Sequence, residues 1–341
     1  MTELDWERRI REAVAYRHCL ADYPELGRPE LPTGRDRSDL VFITSRFRSG
    51  STFLWNVFRN IPGCTAYYEP FLNEKPAERG KARRGMVDPT HRGVRDYHAE
   101  IKAVTGLDAV HRDDWSLRRL YMDAYSFDPD MEQFLDHLIE QSPGRPVLQF
   151  NRVDFRLQWL RERYPNAQIL HLYRNPRNLW VSMIQNDGWV SPDYRLGAEA
   201  VRPEINVFYL WYWWHDLQFL MPFLQISRLD HPYQIHYLLW RMSYLFGKQY
   251  AHISIRYESL VESFDSVMGE ILGRLGFSSA EMDRLSRLKS PPPKVDAWPR
   301  YADASWFVDM EGKAEALLLS FFNVAIPPQA EAADDEPSGE K

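Results

Sequence analysis

The chain has 341 residues, 44% of them hydrophobic and 14% aromatic, enough to bury a sizeable core as one large domain or two small ones. A formal net charge of -6 argues against a general nucleic-acid binder, although arginines crowd particular short stretches and point to local anion sites on an acidic background. Two cysteines, Cys19 and Cys64, exclude a disulfide framework, and no Cys/His spacing suggests zinc, so no metal is expected.

The N-terminal stretch MTELDWERRIREAV is charged and lacks an apolar segment with a small-residue cleavage site, so it does not read as a secretory signal, and a cytoplasmic location is expected. The apolar run LVFIT (40–44) has strand length and leads directly into RFRSGSTFLWNVF (46–58), a Ser/Gly-rich turn opening a helical pattern. TAYYE (65–69) is the next strand. The interval 75–145 is too long for a simple connection, and it reads as a helical, partly mobile insertion with helical patterns near 96–104 and 130–141. Its basic cluster, Arg79, Lys81, Arg83, Arg84, Arg92 and Arg95, reads as a solvated face in preference to a site for an acidic glycan. Three further strands follow: PVLQF (146–150), AQILHLY (167–173) and AHISIRY, which ends at Tyr257.

Helix candidates lie at 49–59, 154–164, 177–185, 205–220, 234–248 and 258–275. Strands alternating with helices predict an α/β, three-layer fold, with a central, mostly parallel five-stranded sheet flanked by helices. The most apolar window, INVFYLWYWWHDLQFLMPFLQI (205–226), has about the length of a membrane span, but Asp216 and His215 at its centre favour a buried helix over a membrane segment. Trp211, Trp213 and Trp214 then read as core residues, as do His171, His215 and His252. The tail 329–341 is acidic, lacks aromatics and is expected to be disordered, which leaves 1–328 as one domain.

The turn at 45–52 carries the chemistry. In a strand-turn-helix unit the backbone N–H groups of the turn and the helix N-terminus point outward together, and the helix dipole adds partial positive charge. Gly50 permits close backbone approach, Ser49, Ser51 and Thr52 add hydroxyls, and Arg46 and Arg48 flank the turn with fixed charge. The segment lacks the first Gly and the Lys of GxxxxGK[ST], which weakens an ATP or GTP reading. A second anion site is read at YRNPRN: Arg174 ends a strand, Asn175 caps the next helix and Pro176 suits its first turn.

Arg48-Ser49-Gly50-Ser51-Thr52 resembles the 5'-phosphosulfate loop of sulfotransferases that use 3'-phosphoadenosine 5'-phosphosulfate (PAPS), and LHLYRNPRNLWVS (170–182) resembles their 3'-phosphate site, with Arg174 and Ser182 eight residues apart. IRYESLVESFDSVMGEILGRLGF (255–277) is similar to the strand and helix that follow. The resemblance implies a P-loop-like sulfotransferase domain, with PAPS as donor, 3'-phosphoadenosine 5'-phosphate (PAP) as product and no metal, and it places Phe53 and Tyr257 near the adenine. Where cytosolic relatives carry a basic Gly-rich closing loop this chain has WPRYADASWF (298–307), leaving Lys294 or Arg300 as substitutes.

Sulfuryl transfer then needs a cation at the leaving phosphate, assigned to Arg48, and a general base for the acceptor hydroxyl. YYEPF resembles the segment in which glycan sulfotransferases place a catalytic Glu, which makes Glu69 the expected base. Asp154 in QFNRVDF is the competitor, and the absence of His there sets the chain nearer the carbohydrate and bacterial branches than the phenol-sulfating one. The expected partner is a small-molecule or glycan acceptor, with no nucleic acid and no membrane. Two other readings stay open: an ATP-dependent phosphotransferase on a related P-loop fold, and a non-catalytic nucleotide-binding protein.

Overall fold

The computed structural model describes residues 38–79, 94–184, 190–196, 209–278, 282–289 and 296–322. The five strands are β1 Val41–Ser45, β2 Cys64–Tyr68, β3 Arg145–Phe150, β4 Gln168–Tyr173 and β5 Ile253–Arg256. They form one sheet in the order β2-β3-β1-β4-β5, and every pairing is parallel. Central β1 is buried along its whole length, as a parallel strand covered on both faces must be, and its run of Val, Phe and Ile meets that demand. Side chains alternate between two cores: Phe42, Leu148 and Ile169 enter one, while Val41, Ile43 and Leu170 enter the other.

The main helices are α1 Ser51–Arg59, α2 Pro129–Glu140, α3 Leu157–Arg163, α4 Pro176–Ile184, α5 Leu210–Leu217, α6 Pro232–Tyr250, α7 Tyr257–Glu262, α8 Phe264–Arg274 and α9 Ala304–Phe322. Helices α1 and α8 cover one face, inserting Leu54, Trp55 and Phe58 and Met268, Ile271 and Leu272 respectively. The larger core on the opposite face is built from α2 to α6 and α9. The single helix expected over 258–275 is broken at Ser263, whose ψ of 46 leaves the helical region, and Phe264 then turns into the core. Helix α9 was not anticipated, although Asp303 carries its signal: Oδ1 accepts from the backbone N of Trp306 at 2.8 Å, an N-cap bond.

The described part of the interval 75–145 supplies core: Ile101, Leu107, Trp115, Leu120 and Phe134 are fully buried in the larger cluster. Asp216 is buried because its carboxylate accepts from the backbone N of Arg119 at 3.1 Å and of Leu120 at 3.0 Å. No helix among the described residues is long and apolar enough to cross a membrane. Trp213 and Trp214 are core residues as expected, whereas His215 is exposed and stacks on Trp211, and His252 is exposed beside β4, accepting from the backbone N of Ile169. The tail 329–341 lies outside the described residues.

His171 is a core histidine. Its Nδ1 lies 3.2 Å from Ser254 Oγ, and a Cβ at Gly247 would sit 2.2 Å from that nitrogen, which explains a glycine inside α6. Burial pulls His171 down to about 3, and it does the same to His236, whose Nε2 is 3.0 Å from the Pro176 carbonyl. In the unfolded chain both protonate near their ordinary value of about 6.5. Between those limits the unfolded state binds more protons, so the stability these groups contribute is complete above about pH 6.5 and is lost as pH falls toward the folded value. The melting temperature is therefore expected to fall steadily from about pH 7 to about pH 5; a flat profile across that window would contradict this account of the core.

Candidate functional site

The parallel sheet brings the C-terminal ends of its strands to one edge, and the turn after β1 rises there. Two of its residues are left-handed: Gly50 at φ 87 and, less commonly for a residue with a side chain, Arg48 at φ 64. That geometry costs Arg48 about 1–2 kcal/mol. Gly50 is obligatory on two counts, since a Cβ there would also lie 2.2 Å from the ring of Tyr257. Helix α1 starts at Ser51 with Gly50 as N-cap and no side-chain cap, so its first N–H groups await an outside acceptor. Ser49 Oγ is buried in the same turn, without a hydrogen-bond partner among the described residues. Thr52 Oγ1 bonds the hydroxyl of Tyr68 at 2.9 Å, tying the turn to β2.

The second motif meets the first. Arg174, just past β4, donates Nη1 to the Arg48 carbonyl at 3.0 Å, and Arg48 donates Nε to Ser182 Oγ in α4 at 3.0 Å. Arg174 also lies over the Tyr257 ring at 4.8 Å, and its Nε is buried without a hydrogen-bond partner among the described residues. Burial pulls the Arg174 guanidinium below its ordinary value, and the neighbouring Arg48 charge pulls the same way. Asn175 caps α4 as expected, its Oδ1 accepting from the backbone N of Arg177 at 3.0 Å and of Asn178 at 3.3 Å. Phe53 and Tyr257 are half-buried at the rim of the smaller core, and Phe53 faces Phe264 at 5.7 Å.

Glu69 follows β2 directly and is 4% exposed. Its Oε2 accepts from Arg152 Nη1 and from the backbone N of Asn151, the latter at 3.2 Å. Asn151 in turn accepts from Ser45 Oγ at 2.8 Å, so two hydrogen bonds connect the end of β1 to the carboxylate. Burial pushes the Glu69 carboxyl up, against the opposing charge of Arg152. Arg152 itself lies over the rings of Phe47, at 4.9 Å, and Tyr209, at 4.8 Å, which stack on each other with centroids 5.6 Å apart. Phe47 belongs to the turn, so the turn and the carboxylate share a support.

Not every expected residue reaches this edge in the expected role. Arg46 does not flank the turn with open charge: it is buried, its Nη1 3.3 Å from Asp154 Oδ2, with its guanidinium 4.3 Å from the Trp213 ring. Asp154 accepts from Thr44 Oγ1 as well, at 2.8 Å, so both members are committed to a buried pair. Arg300 is exposed in a short 3-10 turn, and Lys294 lies outside the described residues. Arg152 was passed over in the sequence, although it stands just beyond β3 as Arg174 stands just beyond β4, and that shared position was a usable signal. Glu258 was missed too; its Oε1 accepts from the backbone N of Asn175 at 3.1 Å, bracing the Arg174 loop. Among the described residues no group of His, Cys, Asp and Glu is arranged to hold a metal ion.

A family model described as "Sulfotransferase family" matches residues 40–281, a span that contains β1 to β5 and both cationic motifs. No curated protein matches the chain. Among solved structures it is similar to the sulfotransferase domain of the Synechococcus PCC 7002 olefin synthase, at 17% identity over 89% of this chain and 100% of that one, with a TM-score of 0.44. A sulfotransferase of Mycobacterium avium matches at 13% identity over 93% of this chain and 84% of that one, TM-score 0.46. A mouse sulfotransferase complexed with PAP matches at 13% identity over 86% and 87%, TM-score 0.41.

The Glu69–Arg152 pair makes its own prediction. Removing one partner strands a buried charge, so Arg152→Met is expected to destabilise the fold by about 3–5 kcal/mol in chemical denaturation. Adding Glu69→Gln to that variant is expected to recover much of the loss; equal stability of Arg152→Met and wild type would mean the pair is not buried as described.

Proposed function

The chain belongs to the sulfotransferase family, and from that premise we propose that it moves a sulfuryl group from PAPS to a hydroxyl of a carbohydrate or small-molecule acceptor. The turn 48–52 with Arg174 and Ser182 serves as the donor site, and Glu69 is the general base. The observation that supports this reading is the 3.0 Å bond from Arg174 to the Arg48 carbonyl, which brings the two cationic motifs together at one edge of the sheet. A ligand phosphorylated at two ends suits two such motifs.

The residues fit that donor. Among the described residues Ser49 Oγ and Arg174 Nε are buried polar atoms without hydrogen-bond partners, and the start of α1 has no side-chain cap. PAPS, when bound, supplies the sulfuryl group and departs as PAP. Arg48 keeps a fixed positive charge beside the turn, because a guanidinium stays protonated, and so it offsets negative charge without giving up a proton. Arg46 is left out of the donor site, its charge being spent on Asp154.

Glu69 is preferred to Asp154 as base. Asp154 divides its two oxygens between Thr44 and Arg46, whereas the bonds from Arg152 and Asn151 both end on Glu69 Oε2 and leave Oε1 outside the pair. Burial raises the proton affinity of the Glu69 carboxyl, which makes it a stronger base than an exposed carboxylate. The base is present only above its folded pKa, so activity is expected to fall on the acid side at a pH above the ordinary carboxylate value of about 4.3.

In a thermal-shift assay PAP is expected to raise the melting temperature and Mg-ATP to leave it in place. A shift with Mg-ATP alone would favour the phosphotransferase reading. Labelled sulfate from PAPS should reach at least one member of a panel of hydroxylated sugars and small molecules, and Glu69→Gln should lower that transfer by about 100-fold or more while keeping the PAP shift. Wild-type transfer by Glu69→Gln would remove Glu69 from the mechanism.

A further inference from the structure

Arg79 stands first in a basic cluster whose sequence reads as a solvated face, yet it is fully buried. Among the described residues its guanidinium donates to carbonyls of the turn after β2: Nε to Glu74 at 3.0 Å, Nη1 to Glu69 at 3.2 Å, and Nη2 to Pro70 at 2.7 Å and Leu72 at 3.2 Å. A planar fork with five donors can satisfy that many carbonyls around one centre, and an ammonium cannot.

The turn needs such a clamp. Glu69 has φ 48, a left-handed value that a residue with a β-carbon avoids. It also precedes Pro70, and a following proline drives a residue toward extended φ values of about -120. Two local preferences thus oppose the conformation that turns the carboxylate to Arg152 and Asn151. The same device recurs in this fold. Left-handed Arg48 has its carbonyl bound by Arg174, and left-handed Arg119, at φ 52, has its carbonyl bound by Arg156 Nε at 3.0 Å.

We propose that Arg79 is a positioning residue for sulfuryl transfer: by gripping the carbonyls of the turn after β2 it holds Glu69 in the left-handed conformation that aims its carboxylate at the reacting hydroxyl. This rests on the reading of Glu69 as the base. The charged and titratable groups around that carboxyl are Arg152 beyond β3, Arg79 in the turn and Tyr68 on β2, and the Arg79 charge opposes the effect of burial on Glu69. Arg79 therefore acts on the base through both geometry and charge, and the two effects separate by substitution.

Arg79→Lys keeps a cation but loses the fork, and Arg79→Met loses both. For Arg79→Lys the expected result is a kcat on labelled-sulfate transfer lowered on the order of 10- to 100-fold, with KM for the acceptor and affinity for PAP unchanged. For Arg79→Met the carbon-13 signal of the Glu69 carboxyl, assigned by its loss in Glu69→Gln, should in addition titrate at higher pH. Pro70→Ala in the Arg79→Lys background should recover part of kcat, because it lifts the constraint of the following proline. Melting curves establish that each variant is folded, and the lysine variant carries the test if the methionine variant is not. Wild-type kcat and wild-type carboxyl titration in folded Arg79 variants, with Glu69→Gln inactive, would overturn the clamp and leave the base assignment standing. Full transfer by Glu69→Gln would instead overturn the base assignment and the clamp with it.

Discussion

Two guanidinium groups rest against one loop, and like charges so placed repel unless an anion comes between them. Arg174 reaches the carbonyl of Arg48, and Arg48 reaches Ser182, so neither cation has moved away to relieve that repulsion. The surrounding structure prevents it: Arg174 is fixed to the end of β4, its loop is braced by Glu258, and Arg48 is tied to α4 by its bond to Ser182. Burial lowers the proton affinity of Arg174, and the neighbouring Arg48 charge acts in the same direction. A site built to hold two positive charges at close quarters is preorganised for negative charge, and little of the binding energy is then spent on reorganisation.

The backbone carries a matching load. Arg48, Glu69 and Arg119 adopt left-handed values despite their side chains, and in each case an arginine from elsewhere in the chain binds the carbonyl of the strained residue. Arginine suits the task because its donors lie in one plane and its charge persists when buried. At Arg48 and Glu69 the strain lies just past the ends of parallel strands, where it re-aims the chain at the edge at which such sheets bind ligands. Stability is thereby converted into a fixed direction for the Arg48 and Glu69 side chains.

Much of this was legible in the sequence. The first four strands fall within one residue of the runs that predict them, and central β1, covered on both faces, is buried along its whole length. The phosphate-type turn and the Asn175 cap are local features, set by residues within one helical turn, and both stand as expected. Buried arginines were harder. Arg46, Arg79, Arg152 and Arg156 all look like surface charge in one dimension; Arg79 is buried against carbonyls 5 to 10 positions away, whereas Arg46 and Arg152 need partners that only the fold supplies, Asp154 lying 108 positions from Arg46 and Glu69 83 from Arg152. Helix α9 is less legible: Asp303 marks its start, but the N-cap bond that identifies it, from the backbone N of Trp306, exists only in the folded chain.

The central claim is that the turn after β1 and the loop after β4 bind opposite ends of one adenosine ligand. Isothermal titration with PAP, adenosine 5'-phosphate and adenosine 3'-phosphate tests it most directly. The account predicts that PAP binds at least about tenfold more tightly than either monophosphate, a difference of about 1.4 kcal/mol, and that Arg174→Ala abolishes the advantage of carrying both phosphates. Equal affinity for all three nucleotides, or an advantage for PAP that survives loss of Arg174, would contradict it.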